Sequence, residues 1–481
     1  MAKARVSRST PIHCAAADLG ATSGRVIVGT WADEKLTLTE VHRFPNSFQS
    51  VGPNDYWNVP GLWLEIQTGL RKAAAQFPQI ASVGVDTWGV DYVLLNDAGR
   101  LVFPTHAYRD SRTQAGLAKL NADKKALEKV YAATGIPNVF YNSSLQLAET
   151  VATCPQIKIL ATRCLFLPDY FNYLLSGRME NEFTIASTTQ LLDVNSTDWS
   201  RAALKHFGIP TSWFTKPVLA GTRLGKVTSL PELKNTQVIV VPGHDTAAAY
   251  DAMPADPSGN DLFLSSGTWS LVGFESDTPV LGSRALKTRV ANERIGDGRY
   301  RPLTNVIGFW LLEGVMKEFP DRPKAEEERA KLNAAAAALP APKLLLDVAD
   351  PAFSNPPSMR AAIDAHLKKR GAKAPKDLAG YLRLICDSLG QGHADAKANF
   401  EKMTGRKFER ILVVGGGSRN KLMCQATADA AGIPVVSFSL EGTAVGNIAC
   451  QLIALGAVKD KAAFRAALGA TLEKTTYTPR S

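Results

Sequence analysis

The chain has 481 residues, of which 45% are hydrophobic and 21% are charged, and its formal net charge is +10. This composition predicts a globular protein long enough for two cores, and no run reaches the roughly 18 consecutive apolar residues of a membrane helix. The basic residues are dispersed along the chain, so their charge favours a solvated surface or anionic small molecules over a nucleic-acid interface.

The N-terminal segment and the cysteines also limit the class of protein. Residues 1 to 11 are basic and no apolar signal-peptide core follows them, so they are predicted to form a disordered tail. No cysteine belongs to a C-x-x-C pair or has a histidine at ligand spacing, which predicts reduced thiols, no metal site at the cysteines and a cytoplasmic protein. The six cysteines are Cys14, Cys154, Cys164, Cys386, Cys424 and Cys450.

Strand and helix patterns alternate through the first half of the chain. A helix opens at Pro60, with apolar residues at every fourth position. The β-branched segment 238 to 241 predicts a buried strand, and an alanine-rich helix start follows it at Asp245. The other predicted elements are strands at residues 12–18, 25–31, 36–41, 80–85, 92–95 and 101–103, and helices from 114 to about 175.

The pattern begins again after Asp245. A strand at residues 261–265, a turn at 266–268 and a returning strand at 269–274 repeat the hairpin of the first half. The alternation predicts an α/β protein with two domains, residues 12–250 and 251–481, and a cleft between them. The remaining predictions are a polar irregular region at 275–301, an alanine-rich helix at 334–338, a helix from 377, a strand at 410–414, a glycine run leading into a helix, a strand at 434–438 and a last helix from about 443.

Three glycine-rich turns are candidates for binding phosphate groups. The turns at residues 20–24 and 266–268 lie in hairpins, one per half, and Gly415-Gly416-Gly417 lies between a strand and a helix. Glycine permits left-handed backbone and close approach to an anion, and a helix start favours phosphate. Neither a P-loop nor a G-x-G-x-x-G string occurs, so a dinucleotide enzyme is disfavoured.

Acidic, basic and aromatic residues near strand ends are the candidate site groups. Asp18 and Asp86 either hold a hydrated Mg²⁺, which needs only one or two carboxylates, or bond to nearby backbone N–H groups. Trp88 suits one face of a sugar or the core, and Arg109 begins a charged turn that is either solvated or binds substrate. Asp245 follows a strand, where α/β proteins collect ligands, but its neighbours also suit a helix cap.

Several strings, in order along the chain, carry a resemblance to a known family. They are Asp18-Leu-Gly-Ala-Thr-Ser-Gly-Arg25, Gly84-Val-Asp-Thr-Trp-Gly-Val-Asp91, Tyr108-Arg-Asp-Ser-Arg112, Leu167-Pro-Asp-Tyr-Phe171, Gly243-His-Asp-Thr246, Leu264-Ser-Ser-Gly-Thr-Trp-Ser270 and Val414-Gly-Gly-Gly417. Over residues 12 to 478 the chain resembles the FGGY carbohydrate kinases. The resemblance implies the actin-like ATPase fold, with two ribonuclease-H-like domains that close on a sugar and ATP. It also implies transfer of the γ-phosphoryl group of ATP to the 1-hydroxyl of L-rhamnulose.

The resemblance also implies roles for individual residues. Asp245 would be the catalytic base, which accepts the proton of the sugar hydroxyl, and Asp18 would hold Mg²⁺ through water, with ATP and Mg²⁺ as cofactors. The residues expected against the sugar are Trp88, Gly89, Arg109, His244, Thr246 and Asn305. The residues expected against ATP are Ala21, Thr22, Ser23, Gly24, Arg25, Thr268, Glu313, Gly416, Gly417 and Asn420.

One position departs from the family pattern. Glu313 stands where similar kinases carry glutamine near the nucleotide, and its negative charge beside ATP is unfavourable unless the carboxylate is protonated, paired or turned away. Among functions, a kinase of the same family for L-fuculose or another ketose or polyol is the nearest alternative, because sugar choice depends on a few hydroxyl contacts. A non-catalytic sugar sensor, a chaperone-type ATPase and a nucleic-acid binder are the others. The predicted partners are a small sugar and ATP, without nucleic acid or membrane, for a monomer or homodimer.

Overall fold

The computed structural model of the chain describes residues 10 to 480, so residues 1 to 9 of the predicted basic tail lie outside the described residues. The described chain divides into two units, each built from separate segments. Unit 1 contains the residues up to Pro254 together with Ser276–Pro302 and Glu441–Thr471. Unit 2 contains Ala255–Glu275, Leu303–Leu440 and the residues from Leu472 onward.

The strands are numbered in chain order over the described residues. They are β1 (Ile12–Leu19), β2 (Ser23–Ala32), β3 (Lys35–Pro45), β4 (Gln49–Val51), β5 (Asn54–Tyr56), β6 (Ile80–Thr87), β7 (Tyr92–Leu95), β8 (Arg163–Phe166), β9 (Arg223–Lys226), β10 (Gln237–Ile239), β11 (Asp261–Ser266), β12 (Trp269–Gly273), β13 (Ala291–Arg294), β14 (Tyr300–Ile307), β15 (Arg410–Val414), β16 (Val435–Phe438) and β17 (Lys474–Tyr477).

The helices are numbered in the same way. They are α1 (Val59–Gln76), α2 (Gln114–Ala122), α3 (Lys124–Thr134), α4 (Ser143–Thr153), α5 (Ile157–Leu160), α6 (Leu167–Ser176), α7 (Phe183–Ser187), α8 (Arg201–Phe207), α9 (Asp245–Ala252), α10 (Ser283–Lys287), α11 (Trp310–Met316), α12 (Glu326–Ala338), α13 (Met359–Lys369), α14 (Leu378–Thr404), α15 (Lys421–Ala431), α16 (Gly442–Leu455) and α17 (Lys461–Thr471). Between residues 10 and 480, no helix combines the length and apolar character needed to cross a membrane.

The main sheet of unit 1 has six strands in the order β3-β2-β1-β6-β10-β9. β1 pairs antiparallel with β2 and parallel with β6, and β6 pairs parallel with β10. Residues 14 to 19 of β1 are all buried, as expected for a central strand covered on both faces. The parallel register places Asp18 opposite Asp86, so two carboxyl groups lie side by side near the carboxyl ends of β1 and β6.

Helices α1 and α16 pack against this sheet at positions where glycine leaves room. The predicted apolar face of α1 is buried. A Cβ on Gly69 of α1 would lie 2.7 Å from Cβ of Val26 in β2, and a Cβ on Gly29 of β2 would lie 2.5 Å from Cδ1 of Ile448 in α16. Contacts below 3.0 Å require a shift of the neighbouring atoms, so these glycines permit the close approach of helix and sheet.

The sheet that contains the unit 2 strands has the order β13-β14-β12-β11-β15-β16-β17, of which β13 and the first residues of β14 are counted in unit 1. β11 pairs antiparallel with β12 and parallel with β15, and β15 pairs parallel with β16. The long helix α14, which confirms the helix predicted from residue 377, buries Leu378, Leu382, Ile385 and Leu389. Each unit therefore has an antiparallel hairpin joined to parallel strands, as the repeated pattern predicted.

Three regions differ from the sequence-based prediction. Residues 101 to 103 make only an isolated bridge, between Leu95 and Leu101. The predicted helical region from 114 to 175 contains strand β8, which pairs with β7. The region 275 to 301, predicted to be irregular, contains α10, β13 and the start of β14. Within this region, Glu293 and Arg301 form an ion pair with little exposed surface.

The division into units also differs from the predicted boundary after residue 250. Two later segments, Ser276–Pro302 and Glu441–Thr471, belong to unit 1. The second of them contains α16, whose Gln451 donates a hydrogen bond to the carbonyl oxygen of Ala15 in the central strand β1. Unit 1 is therefore not one continuous stretch of chain, because α16 covers the sheet formed by the first residues.

Candidate active site

The carboxylate predicted as the base lies in the first turn of α9. The helix begins at Asp245 itself, and His244 occupies the cap position. Oδ1 of Asp245 accepts hydrogen bonds from the backbone N–H and the hydroxyl of Thr246, at 2.5 and 3.0 Å. The alternative that Asp245 caps the helix is therefore wrong, because Asp245 is already a helical residue. Its side chain is 30% exposed and accessible to a substrate.

The loop before α9 is held from two sides. The backbone N–H of Thr87, at the end of β6, donates to the carbonyl oxygen of Gly243 at 2.9 Å. From the other side, Glu182 accepts a hydrogen bond from the N–H of Gly243, and Thr184 Oγ1 accepts one from the N–H of His244. Burial raises the pKa of Glu182 to about 7 despite the hydrogen bonds it accepts. These contacts hold the backbone of Gly243 and His244, and thereby the position of Asp245 at the start of α9.

A buried ion pair lies behind His244. Arg301 of β14 is fully buried and contacts Oε2 of Glu293 in β13 through Nη2. The same Nη2 lies 2.7 Å from Nδ1 of His244, and Oε2 of Glu293 lies 3.2 Å from that nitrogen. Burial alone would raise the pKa of Glu293, but the guanidinium of Arg301, with His244 beside it, holds the pKa at about 2. Glu293 is therefore ionised at neutral pH.

Gly89 and His244, both predicted at the sugar, lie next to each other. A Cβ on Gly89 would be 3.3 Å from Nε2 of His244 and 3.5 Å from Cγ2 of Thr188. The same Nε2 lies 3.3 Å from Oδ1 of Asp245. The structure thus brings Gly89, His244 and Thr246 together around the predicted base, and a side chain at position 89 would narrow the space beside it.

The turn that carries Gly89 is strained and fixed by a buried carboxylate. The N–H of Asp91 donates to the carbonyl oxygen of Gly89 at 3.0 Å, and Val90 between them has a φ of 71°. Such a γ-turn is rare, and a positive φ is unfavourable for a β-branched residue. Oδ2 of Asp91 accepts hydrogen bonds from the indole N–H groups of Trp57 and Trp88, at 2.6 and 2.9 Å, and thereby holds the turn in place.

Trp88 lies mostly inside the unit 1 core. Its ring centroid is 4.4 Å from that of Trp57, and both side chains are buried. Arg109 is exposed, and its Nε donates to the hydroxyl of Tyr108 at 3.0 Å. Burial raises the pKa of Tyr108, the guanidinium of Arg109 opposes this rise, and the charges of Asp91 and Asp245 add to it.

Replacing Asp91 with asparagine is expected to destabilise unit 1 by about 1 to 3 kcal/mol. Oδ2 accepts the N–H groups of Trp57, Trp88 and Tyr108, and Oδ1 accepts Nε2 of Gln146. Whichever way an amide is turned, its NH₂ group faces at least one buried donor. The measurement is the melting temperature, with Asp97→Asn in the exposed turn after β7 as the control. Equal melting temperatures for the two variants would contradict the role given to Asp91.

The glycine-rich turn at residues 20 to 24 lies beside an ion-pair network. Arg25 donates to Oδ2 of Asp18 through Nε and Nη2, at 3.0 and 2.9 Å, and its Nη1 lies 2.7 Å from Oε2 of Glu441. The N–H of Gly20 donates to the carbonyl oxygen of Ser23 and closes the turn. A Cβ on Gly24 would overlap the ring of Phe44. The guanidinium of Arg25 is therefore held next to the turn by two carboxylates.

Asp18 and Asp86 form a buried carboxyl pair. Burial raises the pKa of Asp18, which Arg25 only partly offsets, and the charge of Asp245 contributes to the rise. Burial and the charge of Asp18 raise the pKa of Asp86 well above its usual value, which favours a protonated Asp86. Among the described residues, Oδ1 of Asp86 has no hydrogen-bond partner. Mg²⁺ keeps most of its waters and needs only one or two carboxylates, and Asp18, whose side chain is 9% exposed, is the member of the pair that fits this role.

A buried polar chain on α16 escaped the sequence-based prediction. Nδ2 of Asn447 donates to Oδ2 of Asp86 at 2.6 Å, and Nε2 of Gln451 donates to Oδ1 of Asn447 at 2.6 Å. Oε1 of Gln451 in turn accepts the hydroxyl of Ser82. Two amides four positions apart on an otherwise apolar helix are a pattern that indicates a buried polar contact. Glu293 and Arg301 were also missed, and no spacing in the sequence points to them.

In unit 2, the turn between β11 and β12 is held by the start of α11. The carbonyl oxygen of Thr268 accepts hydrogen bonds from the N–H groups of Gly308 and Trp310, at 3.2 and 3.1 Å. A Cβ on Gly308 would lie 2.5 Å from the carbonyl oxygen of Gly267, so only glycine permits this contact. The side chain of Thr268 is exposed. Glu313 lies in the first turn of α11 and is also exposed, so its carboxylate is solvated.

The glycine run after β15 packs against the same hairpin. Gly415 has a φ of 84°, and a Cβ on Gly417 would overlap the hydroxyl of Ser266 at the end of β11. Gly416 is exposed, and a Cβ on this residue would meet no atom within 4 Å. The structure therefore brings the two glycine-rich turns of unit 2 together at one end of its sheet.

Asn420 was predicted to contact ATP and Asn305 to contact the sugar. Asn420 caps α15, with its Oδ1 accepting the N–H of Met423 at 3.0 Å. Asn305 lies on β14 opposite Leu271 of β12 and is exposed. The roles of both residues at a ligand stay predictions.

Two family models match the chain. The model of the FGGY family of carbohydrate kinases, N-terminal domain, matches residues 14–250. The model of the FGGY family of carbohydrate kinases, C-terminal domain, matches residues 262–455. Between them, the two matches cover most of the chain.

Relatives and solved structures agree with this match. The chain is 40% identical over 469 residues to a rhamnulokinase of Klebsiella pneumoniae subsp. pneumoniae, covering 97% of this chain and 94% of the relative. It is 38% identical over 471 residues to a rhamnulokinase of an Enterobacter species, covering 98% and 95%. The crystal structure of a gluconate kinase from Lactobacillus acidophilus matches with a TM-score of 0.79 at 14% identity, covering 98% and 94%. These likenesses confirm the predicted α/β class and the actin-like ATPase fold with two sheet-containing domains.

Proposed function

We propose that this chain, which belongs to the FGGY family of carbohydrate kinases, transfers the γ-phosphoryl group of ATP to the 1-hydroxyl of L-rhamnulose and forms L-rhamnulose 1-phosphate. Family membership makes it a sugar phosphotransferase, and rhamnulokinases are among its similar relatives. The observation that carries the proposal is the accessible Asp245 carboxylate at the start of α9, with Gly89 and His244 beside it.

The proposed chemistry begins with the proton of the sugar hydroxyl. A hydroxyl is a weak nucleophile, and Asp245 accepts its proton as the new oxygen–phosphorus bond forms and ADP leaves. Gly89, with no side chain, leaves space for the sugar next to His244, and Thr246 holds the carboxylate by two hydrogen bonds. Trp88, Arg109 and Asn305 complete the set that we propose for the sugar.

Kinases of this family use ATP and a divalent metal ion. We propose that Asp18, beside Asp86, holds Mg²⁺ through water, since Mg²⁺ keeps several of its waters and needs only one or two carboxylates. When bound, Mg²⁺ neutralises negative charge on the phosphate groups. Residues Ala21, Thr22, Ser23, Gly24 and Arg25 of unit 1, and Thr268, Glu313, Gly416, Gly417 and Asn420 of unit 2, are proposed to bind ATP.

The proposed function also includes a cellular compartment and binding partners. We place it in the cytoplasm, which is supported by six cysteines that are all free thiols. Its partners would be a small sugar and ATP, without nucleic acid or membrane, and it would act as a monomer or homodimer.

A coupled assay of ADP release with Mg-ATP tests the substrate. The panel contains L-rhamnulose, L-fuculose, L-ribulose, D-xylulose and glycerol. The expected result is the highest kcat/KM on L-rhamnulose. Faster turnover on L-fuculose or another member would transfer the assignment to that sugar. Folded protein that binds ATP but phosphorylates no sugar would favour the sugar-sensor alternative.

Replacing Thr268 with alanine is expected to raise the KM for ATP about 2- to 10-fold, because one hydrogen bond to the nucleotide is lost. The KM for the sugar is expected to change little. Thr268 lies in the glycine-rich turn between β11 and β12, and its side chain is exposed. Steady-state kinetics with each substrate varied in turn would measure the effect. Thr278→Ala, at another exposed threonine, is the control. A change confined to the KM for the sugar would contradict the assignment of this turn to ATP.

A further inference from the structure

The ring of His244 lies between a buried ion pair, Glu293–Arg301, and the carboxylate of Asp245. Its Nδ1 faces Nη2 of Arg301 at 2.7 Å and Oε2 of Glu293 at 3.2 Å, and its Nε2 faces Oδ1 of Asp245 at 3.3 Å. We propose that the buried Glu293–Arg301 pair holds His244 in the tautomer with its proton on Nε2. The Nε2–H group then orients the Asp245 carboxylate, and Oδ2 of Asp245 is the oxygen that accepts the proton of the sugar.

The assignment of the tautomer follows from hydrogen-bond chemistry. A guanidinium group has donors only, so the shorter of the two Nδ1 contacts, that with Arg301, requires a lone pair on Nδ1. A proton on Nδ1 would face the N–H of Arg301 and would leave the lone pair of Nε2 pointing at the Asp245 carboxylate. Glu293 already accepts from Arg301, so it orients the guanidinium towards the histidine.

Arg301 is well placed to act as a rigid positioning residue. Its side chain is fully buried, and its guanidinium carbon lies 5.1 Å from the ring centroid of Tyr250, an attractive arrangement of cation and aromatic ring. Tyr250 belongs to α9, the helix that begins with Asp245. Arg301 therefore contacts α9 directly at Tyr250 and contacts His244, which precedes the first residue of the helix. Through these two contacts it holds the imidazole ring of His244 in a fixed orientation relative to α9.

The two oxygens of Asp245 have different surroundings. The N–H and the hydroxyl of Thr246 donate to Oδ1, and Nε2 of His244 lies closest to the same oxygen. Within residues 10 to 480, no donor contacts Oδ2. This inference rests on the proposed role of Asp245 as the base. In the reaction, the O–H bond of the sugar breaks and a bond between that proton and Oδ2 forms, while the sugar oxygen binds phosphorus and ADP leaves.

Nitrogen-15 NMR of the full chain labelled in its seven histidines tests the tautomer directly. In a neutral imidazole, the protonated and unprotonated nitrogens have well-separated shifts, and loss of one set in His244→Asn assigns the signals. In mildly alkaline buffer without ligands, the expected result for His244 is a protonated Nε2 and an unprotonated Nδ1. A protonated Nδ1, alone or together with Nε2, would overturn the proposal.

A paired substitution tests the role of the ion pair. The double variant Glu293→Gln/Arg301→Gln removes both charges together, so no unpaired charge is left buried. The expected result is a mixed or reversed tautomer at His244 and a kcat lowered about 10- to 100-fold, the size of effect seen for residues that orient metal-ligating histidines. The KM for ATP is expected to be unchanged. If the tautomer stays the same in the double variant, the ion pair does not set it.

The control is Arg294→Gln, in the same strand as Glu293. Arg294 is also buried and donates to the backbone carbonyl oxygens of Val194 and Gly298, so its loss has a structural cost without a change at His244. A tautomer change in this control would show a general effect of destabilisation and would overturn the proposal. The NMR result does not depend on turnover: if Asp245→Asn remained active while the tautomer was as expected, the base assignment would fail but the tautomer assignment would stand.

Discussion

Asp245→Asn is expected to lower kcat about 10²- to 10⁴-fold, the usual contribution of a positioned general base, with the fold and sugar binding retained. An asparagine has nearly the same shape, and its carbonyl oxygen can accept the same two hydrogen bonds from Thr246 that Oδ1 accepts in the protein. Its NH₂ group then occupies the position of Oδ2, where it cannot take a proton from the sugar.

Three measurements separate this effect from a structural one. The melting temperature and calorimetric sugar binding are expected to be close to those of the unmodified enzyme, and only kcat falls. Asp377→Asn is the control, because it also removes one negative charge at a helix start, and Asn caps a helix as well as the Asp377 side chain does at α14. Near-normal turnover of Asp245→Asn would remove Asp245 from the role of base.

The residues that the sequence placed correctly lie where local rules determine position. Asp18 and Asp86 each come near the end of an apolar strand, and parallel pairing of β1 with β6 sets them side by side. Gly415 serves a turn in which a side chain would meet the backbone of Ser266. Such positions are predictable because the strand period and the conformational freedom of glycine act over a few residues.

Glu293 and Arg301 show what the sequence alone could not provide. Glu293 lies in the four-residue strand β13 beside a second charged residue, Arg294, and Arg301 is near the start of β14. A pattern of hydrophobicity assigns charged positions of this kind to the surface. The two residues are nonetheless buried or nearly so, because each neutralises the other and both lie against His244. The contact of Arg301 with His244 joins residues that are 57 positions apart in the sequence, and rules based on neighbouring residues cannot predict such a contact. Asn447 differs, because its spacing from Gln451 on an apolar helix gave a usable signal.

Gly446→Ala is expected to lower kcat by about 100-fold and to destabilise unit 1, although alanine favours helices. A Cβ at Gly446 of α16 would overlap the carbonyl oxygen of Ala248 in α9 and lie 2.5 Å from its carbonyl carbon. Since that neighbour is backbone, the two helices must separate. A displacement of about 1 Å at a catalytic group can cost about 100-fold in rate, and Asp245 is the first residue of α9.

The sign of the stability change is decided by two opposing effects. Replacing glycine with alanine inside a helix gains about 0.5 to 1 kcal/mol, whereas forcing an extra methyl group into a packed contact costs about 1 to 3 kcal/mol, so overpacking dominates. The separation would also strain the 2.6 Å hydrogen bond from the adjacent Asn447 to Asp86. Gly116→Ala in the exposed part of α2, where a Cβ would meet only Leu145 at 3.5 Å, is the control and should be neutral or stabilising. If Gly446→Ala raised the melting temperature as much as this control and left kcat unchanged, the close contact of α16 with α9 would not position the base.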